Sequence, residues 1–232
     1  MRIDSGYPSP KKLRENELAT LRYIKDNDFF WSYYATFAGD ANRSFSKFQK
    51  APSLCFASSL EICLDRKPGK MGVAHIGSDI ITKDGRYEQV SYSLAICSKD
   101  NKRLLRKYHF DYALPEKESR RPHPVFHLQY AGGLFGDLKD REIEHEHLDF
   151  WLSEPRLFFL PLSLALLINI LFKEFPDKEG INRAIIERSE WRELIRENEA
   201  NFLYPYFRSC HNFINSEDSM EKLLTSDFYY GN

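Results

Sequence analysis

The chain has 232 residues with 33 Lys plus Arg against 34 Asp plus Glu, a formal charge of −1, so no global field draws it to nucleic acid or anionic lipid, and such a partner needs a local patch. Its apolar share of 42% and charged share of 29% exclude a disordered chain, a collagen-like repeat and a coiled coil, and a mean hydropathy of −0.52 argues against a polytopic membrane protein. The 18 Phe, 13 Tyr and 3 Trp require a core built largely from rings.

At the N-terminus, MRIDSGYPSPKK lacks an apolar stretch and carries Asp4, which does not fit a secretory signal. Cys55, Cys63, Cys97 and Cys210 lie far apart and form no CxxC, against zinc-ribbon and thioredoxin readings. The apolar surroundings of the first three predict small buried hydrophobes, and a reduced, cytoplasmic protein follows. Pro8 and Pro10, then Leu13, Leu18, Leu21 and Ile24 near helical spacing, predict a first helix from Pro10 to Asp26. Phe29, Phe30, Trp31, Tyr33, Tyr34 and Phe37 follow without a clean period and read as core or subunit contact. Gly39-Asp40-Ala41-Asn42 is expected to break the chain there.

From residue 51 to 135 the pattern is β. SLCFASSLEICL, RYEQVSYSLAIC, RLLRKYHFDYAL and PVFHLQYAG are short runs of β-branched and aromatic residues, with turn signals at Lys83-Asp84-Gly85 and Ser98 to Asn101. Such short connections favour an antiparallel meander. In RKYHFDYA, alternation puts Tyr108, Phe110 and Tyr112 on one face and Lys107, His109 and Asp111 on the other. An acidic connection over residues 136–156 precedes a helical layer over 157–232, where the run Leu157 to Phe172 reads as a buried helix entered at Pro161. GINRAIIERSEWRELIRENEANF reads as one amphipathic helix, and the remainder from Tyr204 to Asn232 as one or two short helices and a loose tail. The expected fold is a single α+β domain, an antiparallel sheet of about four or five strands covered by N-terminal and C-terminal helices.

Candidate chemistry concentrates between His109 and His147. His109 and Asp111 share a strand face, as do His123, His127 and Gln129. A hairpin closed by the loop Pro115 to Pro122 would set His109 roughly opposite His127, with Cβ atoms about 4.5–5.5 Å apart. Two imidazoles with a carboxylate support phosphodiester transfer without a metal, one as base and one as acid. Eight basic residues against four acidic ones between Lys99 and Arg121 give a local positive patch suited to a polyanion. The alternative is that these histidines cap turns and satisfy buried carbonyls. In GDLKDREIEHEHLDF, His145 and His147 would face one way on a strand and could hold a metal, but on a helix they would diverge. A solvated acidic loop is the simpler reading, and no metal or other cofactor is expected.

HPVFHL, Arg156 and PLSLALLINILFKEF together resemble a family of bacterial proteins of unknown function and about this size. There an HP-x-x-H-L strand is followed by a polar connection, an Arg, a Pro-containing turn and an apolar helix ending in an aromatic. The matching residues are His123, Pro124, His127, Leu128, Arg156, Pro161 and Phe175; the acidic insertion from Gly136 to Asp149 departs from the pattern. KYHFDYALPEKESRRPHPVFH also resembles the strand, Asp, loop and His-rich segment of TumE-type toxins of toxin–antitoxin pairs. The first resemblance implies a bacterial origin, the second a toxin- or defence-type action on RNA.

Two functions compete on this reading. One is a cytoplasmic protein acting on RNA or single-stranded nucleic acid, with His109, Asp111, His123 and His127 as catalytic candidates and Arg120, Arg121 and Arg156 as phosphate contacts. The other is a non-enzymatic subunit for a protein partner from a neighbouring gene, using the Phe29 to Phe37 segment and the C-terminal helices as interface. Neither involves a membrane.

Overall fold

Ser9 caps the first helix, its Oγ accepting from the Lys12 N–H at 3.3 Å, and Pro10 opens it. The computed structural model describes residues 7–64, 70–100, 103–112, 126–129, 144–145, 157–175 and 180–214. Helix α1 spans Pro10–Asp26, as its apolar spacing predicts, and buries Leu13, Leu21 and Ile24. Helices α2 (Asp28–Tyr33) and α3 (Ala35–Phe48) follow. The chain does not break at Gly39 to Asn42: Phe37, Ala41, Phe45 and Phe48 form one buried stripe through that segment, and a single helical glycine costs only about 1 kcal/mol.

Four long strands form an antiparallel meander: β1 (Leu54–Cys63), β2 (Met71–Lys83), β3 (Arg86–Ser98) and β4 (Arg103–Tyr112). Strand β5 (Phe126–Gln129) pairs antiparallel with β4, the two-residue β6 (Glu144–His145) pairs parallel with the start of β4, and β7 (Leu157–Phe158) pairs with β5. Asp84 and Gly85 both adopt positive φ, 50° and 73°, the two-residue turn whose twist suits a hairpin and which favours Asp-Gly. Strand β2 is the element that sequence patterning misses. Gly72 and Gly77 depress its β propensity, yet Ala74, Ile76 and Ile80 bury on the core side.

Helix α4 (Leu164–Glu174) begins later than the apolar run suggests. Residues 157–158 are strand, Pro161 cannot donate to a helix, and Ser163 caps α4 by accepting from the Leu166 N–H at 3.3 Å. The expected single amphipathic helix is divided at Arg188, which is extended, into α5 (Ile181–Glu187) and α6 (Ser189–Ile214). Helix α6 runs on through Tyr204 and Pro205.

The helices bury the even-numbered face of the long strands. There Phe30 packs on Phe37, Phe172 and Trp191 with ring centroids 6.1–6.3 Å apart, and the Trp191 indole N–H donates to Asn169 Oδ1 at 3.1 Å. The aromatic segment is therefore core at Phe30 and Phe37, while Trp31 and Tyr33 remain exposed. Cys63 and Cys97 are buried as expected, but Cys55 is exposed because it alternates onto the opposite face of the edge strand. No helix among the described residues is long and apolar enough to cross a membrane.

Candidate functional site

Between the β-bulges at Ile81/Thr82 and Ile96/Cys97 the core takes the even positions of the four long strands, so the odd positions there share the opposite face of the sheet. Three cross-strand rows result: Ser59, His75, Ala95 and Lys107; Ala57, Gly77, Ser93 and His109; Cys55, Asp79, Ser91 and Asp111. Strand β3 contributes only small side chains, Ser91, Ser93 and Ala95, all buried. Titratable residues flank these small ones, His75 and Asp79 on β2 and Lys107, His109 and Asp111 on β4. Neighbouring strands lie about 4.8 Å apart, so β2 and β4 are separated by roughly 10 Å.

His109 Nε2 lies 2.8 Å from Asp111 Oδ1, with side chains 15% and 25% exposed. Residues two apart on a strand lie side by side, and this spacing brings imidazole and carboxylate into contact. The contact orients the imidazole, with Nε2 turned toward the carboxylate. Ser93 is the direct partner of His109 and Ser91 that of Asp111. Lys107, 4% exposed, shares this strand face; burial pulls its ammonium pKa down to about 8.

The register differs from the one expected of the His109 and His127 hairpin. His109 pairs with Gln129, and His127 pairs with Asp111. The shift of two residues preserves the face, because strand alternation has period two. Thus His109 and Asp111 come together, and His127 is placed at Asp111 rather than at His109. His123, Arg120, Arg121 and Arg156 lie outside the described residues. His145 belongs to β6 and pairs with Leu104, five residues along β4 from His109, or about 16 Å; His147 lies outside the described residues. Among the described residues no three His, Cys, Asp or Glu side chains are grouped to hold a metal ion.

Sequence reasoning singled out the β4 side of this face and missed the β2 side. His75 and Asp79 sit in the strand that was not recognised, and Ser91 and Ser93 lie in a run rich enough in apolar residues to read as plain core. The alternation of Ser91, Ser93 and Ala95 with Tyr92, Leu94 and Ile96 is the signal that finds them. No family model, curated protein or solved structure matches the chain.

Proposed function

We propose that this chain is a toxin- or defence-type protein of the bacterial cytoplasm that cleaves RNA, with His109 as its acid–base group and Asp111 as the residue that orients it. The observation that carries the reading is the 2.8 Å contact between His109 and Asp111 on the polar sheet face. His109 takes the proton of a ribose 2′-hydroxyl, and the resulting oxygen attacks the adjacent phosphorus. The P–O5′ bond breaks, and the leaving oxygen takes a proton from a second acid, for which His127 and His123 are the candidates. Phosphorus ends as a 2′,3′-cyclic phosphate, with no oxidant or metal consumed. Arg120, Arg121 and Arg156 are assigned to the phosphates, and the buried Lys107 supplies a further cation on the same strand face. DNA lacks the attacking hydroxyl, so the route selects RNA over single-stranded DNA. The test is incubation of single-stranded RNA with purified protein in EDTA: cleavage is expected of the wild type and not of His109→Ala.

A second reading, an interaction subunit, is favoured by one feature. Tyr204 and Phe207, one turn apart on α6, are 73% and 52% exposed, and aromatic residues are enriched where proteins meet. Light scattering of the protein alone and with the product of a neighbouring gene separates the two, since a complex dissociated by Tyr204→Ser and Phe207→Ser supports the interaction subunit.

A further inference from the structure

Glu17 is a glutamate with no exposed surface at the junction of three elements. Its Oε1 accepts from the Tyr92 hydroxyl of β3 at 2.7 Å and from the backbone N–H of Leu164, the first residue of α4, at 3.1 Å. Its Oε2 is buried and has no hydrogen-bond partner among the described residues. One side chain of α1 thus ties the sheet to the start of another helix.

The groups around it are mostly phenols and amides. Tyr7, ahead of α1, stacks on Tyr112 of β4 at 4.6 Å, meets Tyr87 of β3 edge-on at 5.6 Å, and reaches the Leu162 carbonyl at 3.5 Å. Both Tyr7 and Tyr87, like Tyr92, are held above the usual tyrosine pKa by burial first and by the nearby Glu17 as well. From α6 Asn201, which donates to Asn16 Oδ1, and Phe202, which meets Tyr7, are neutral, and the start of α4 offers the Ser163 cap and the Leu164 N–H. Among the described residues two hydrogen bonds favour the carboxylate, and burial outweighs them, raising the Glu17 pKa to about 7.

We infer that Glu17 is a proton-operated latch: with its carboxyl neutral, α1, β3 and the start of α4 close on one another, and loss of the proton loosens the attachment of α4. A negative charge in this pocket is unfavourable unless water reaches Oε2, and water reaches it only if the junction opens. The latch is independent of the RNA reading. It neighbours that site nonetheless, because one small cavity is lined by Tyr7, Leu160, Leu162, Tyr92, Tyr112 and Asp111.

The folded pKa lies above the unfolded value of 4.5, so the folded state holds this proton longer. The stabilisation is complete below pH 4.5, falls as pH rises and is gone above pH 7. Over that window the opening equilibrium should shift on the order of 10²-fold. Hydrogen exchange of the Leu164 amide, corrected for intrinsic rates, reads it at pH 5 and pH 8. Opening is expected to rise with pH in the wild type and to stay level in Glu17→Gln, which keeps the acceptor but cannot ionise. An equal response in both proteins overturns the latch. The wild type alone also decides: a Glu17 carboxyl carbon resonance titrating near pH 7 supports it, and one titrating near pH 4.5 overturns it.

Discussion

His109 and Asp111 meet at 2.8 Å although both belong to one strand, so the contact depends on β4 staying extended. Asp111→Asn keeps the shape and removes the charge that orients the imidazole. RNA cleavage should fall roughly 10²-fold or more, the scale of a misplaced acid–base group. Stability should change by less than about 1 kcal/mol, as for a partly exposed ion pair. Single-turnover rates and urea melts check both figures, and a melt that drops with the rate would make Asp111 a structural residue.

Lys107 gives a pH dependence of opposite sign to that of Glu17. Its folded pKa, lowered by burial to about 8 from 10.5, means that the folded protein loses this proton first. Between these values the unfolded chain binds more protons, so stability rises with pH from 8 toward 10.5, and below pH 8 the burial penalty stands in full. Lys107→Met should remove the rise and stabilise the protein at pH 7 by on the order of 1–3 kcal/mol. Urea midpoints at pH 7 and pH 10 measure both effects; parallel behaviour of wild type and variant would contradict them.

Phe30 and Trp31 are adjacent yet face opposite environments, 0% and 43% exposed. Phe30→Ala removes a ring that touches Phe37, Phe172 and Trp191 and should cost about 3–5 kcal/mol. Trp31→Ala should cost under about 1 kcal/mol. Equal losses in thermal melts would mean that the segment is not divided between core and surface as described.

The contrast between these neighbours shows what the sequence made legible. Helix α1 was readable to its ends, because Pro10 and the Leu13 to Ile24 spacing agree. The faces of β4 were equally readable, because Tyr108, Phe110 and Tyr112 alternate with Lys107, His109 and Asp111. The hairpin register was not, since parity fixes the face of His127 but not whether it pairs with His109 or Asp111. Strand β2 was hidden by Gly72 and Gly77. Yet Gly72 is required by packing: a Cβ there would sit 2.7 Å from the Cys97 carbonyl oxygen of β3.

Product analysis on single-stranded RNA and an all-DNA strand of the same sequences, in EDTA, tests RNA cleavage through His109 most directly. The wild type should cut RNA, leave 2′,3′-cyclic phosphate ends and spare DNA, and His109→Ala, folded by its melt, should cut neither. Intact RNA with folded wild type, or equal cleavage by His109→Ala, would contradict it.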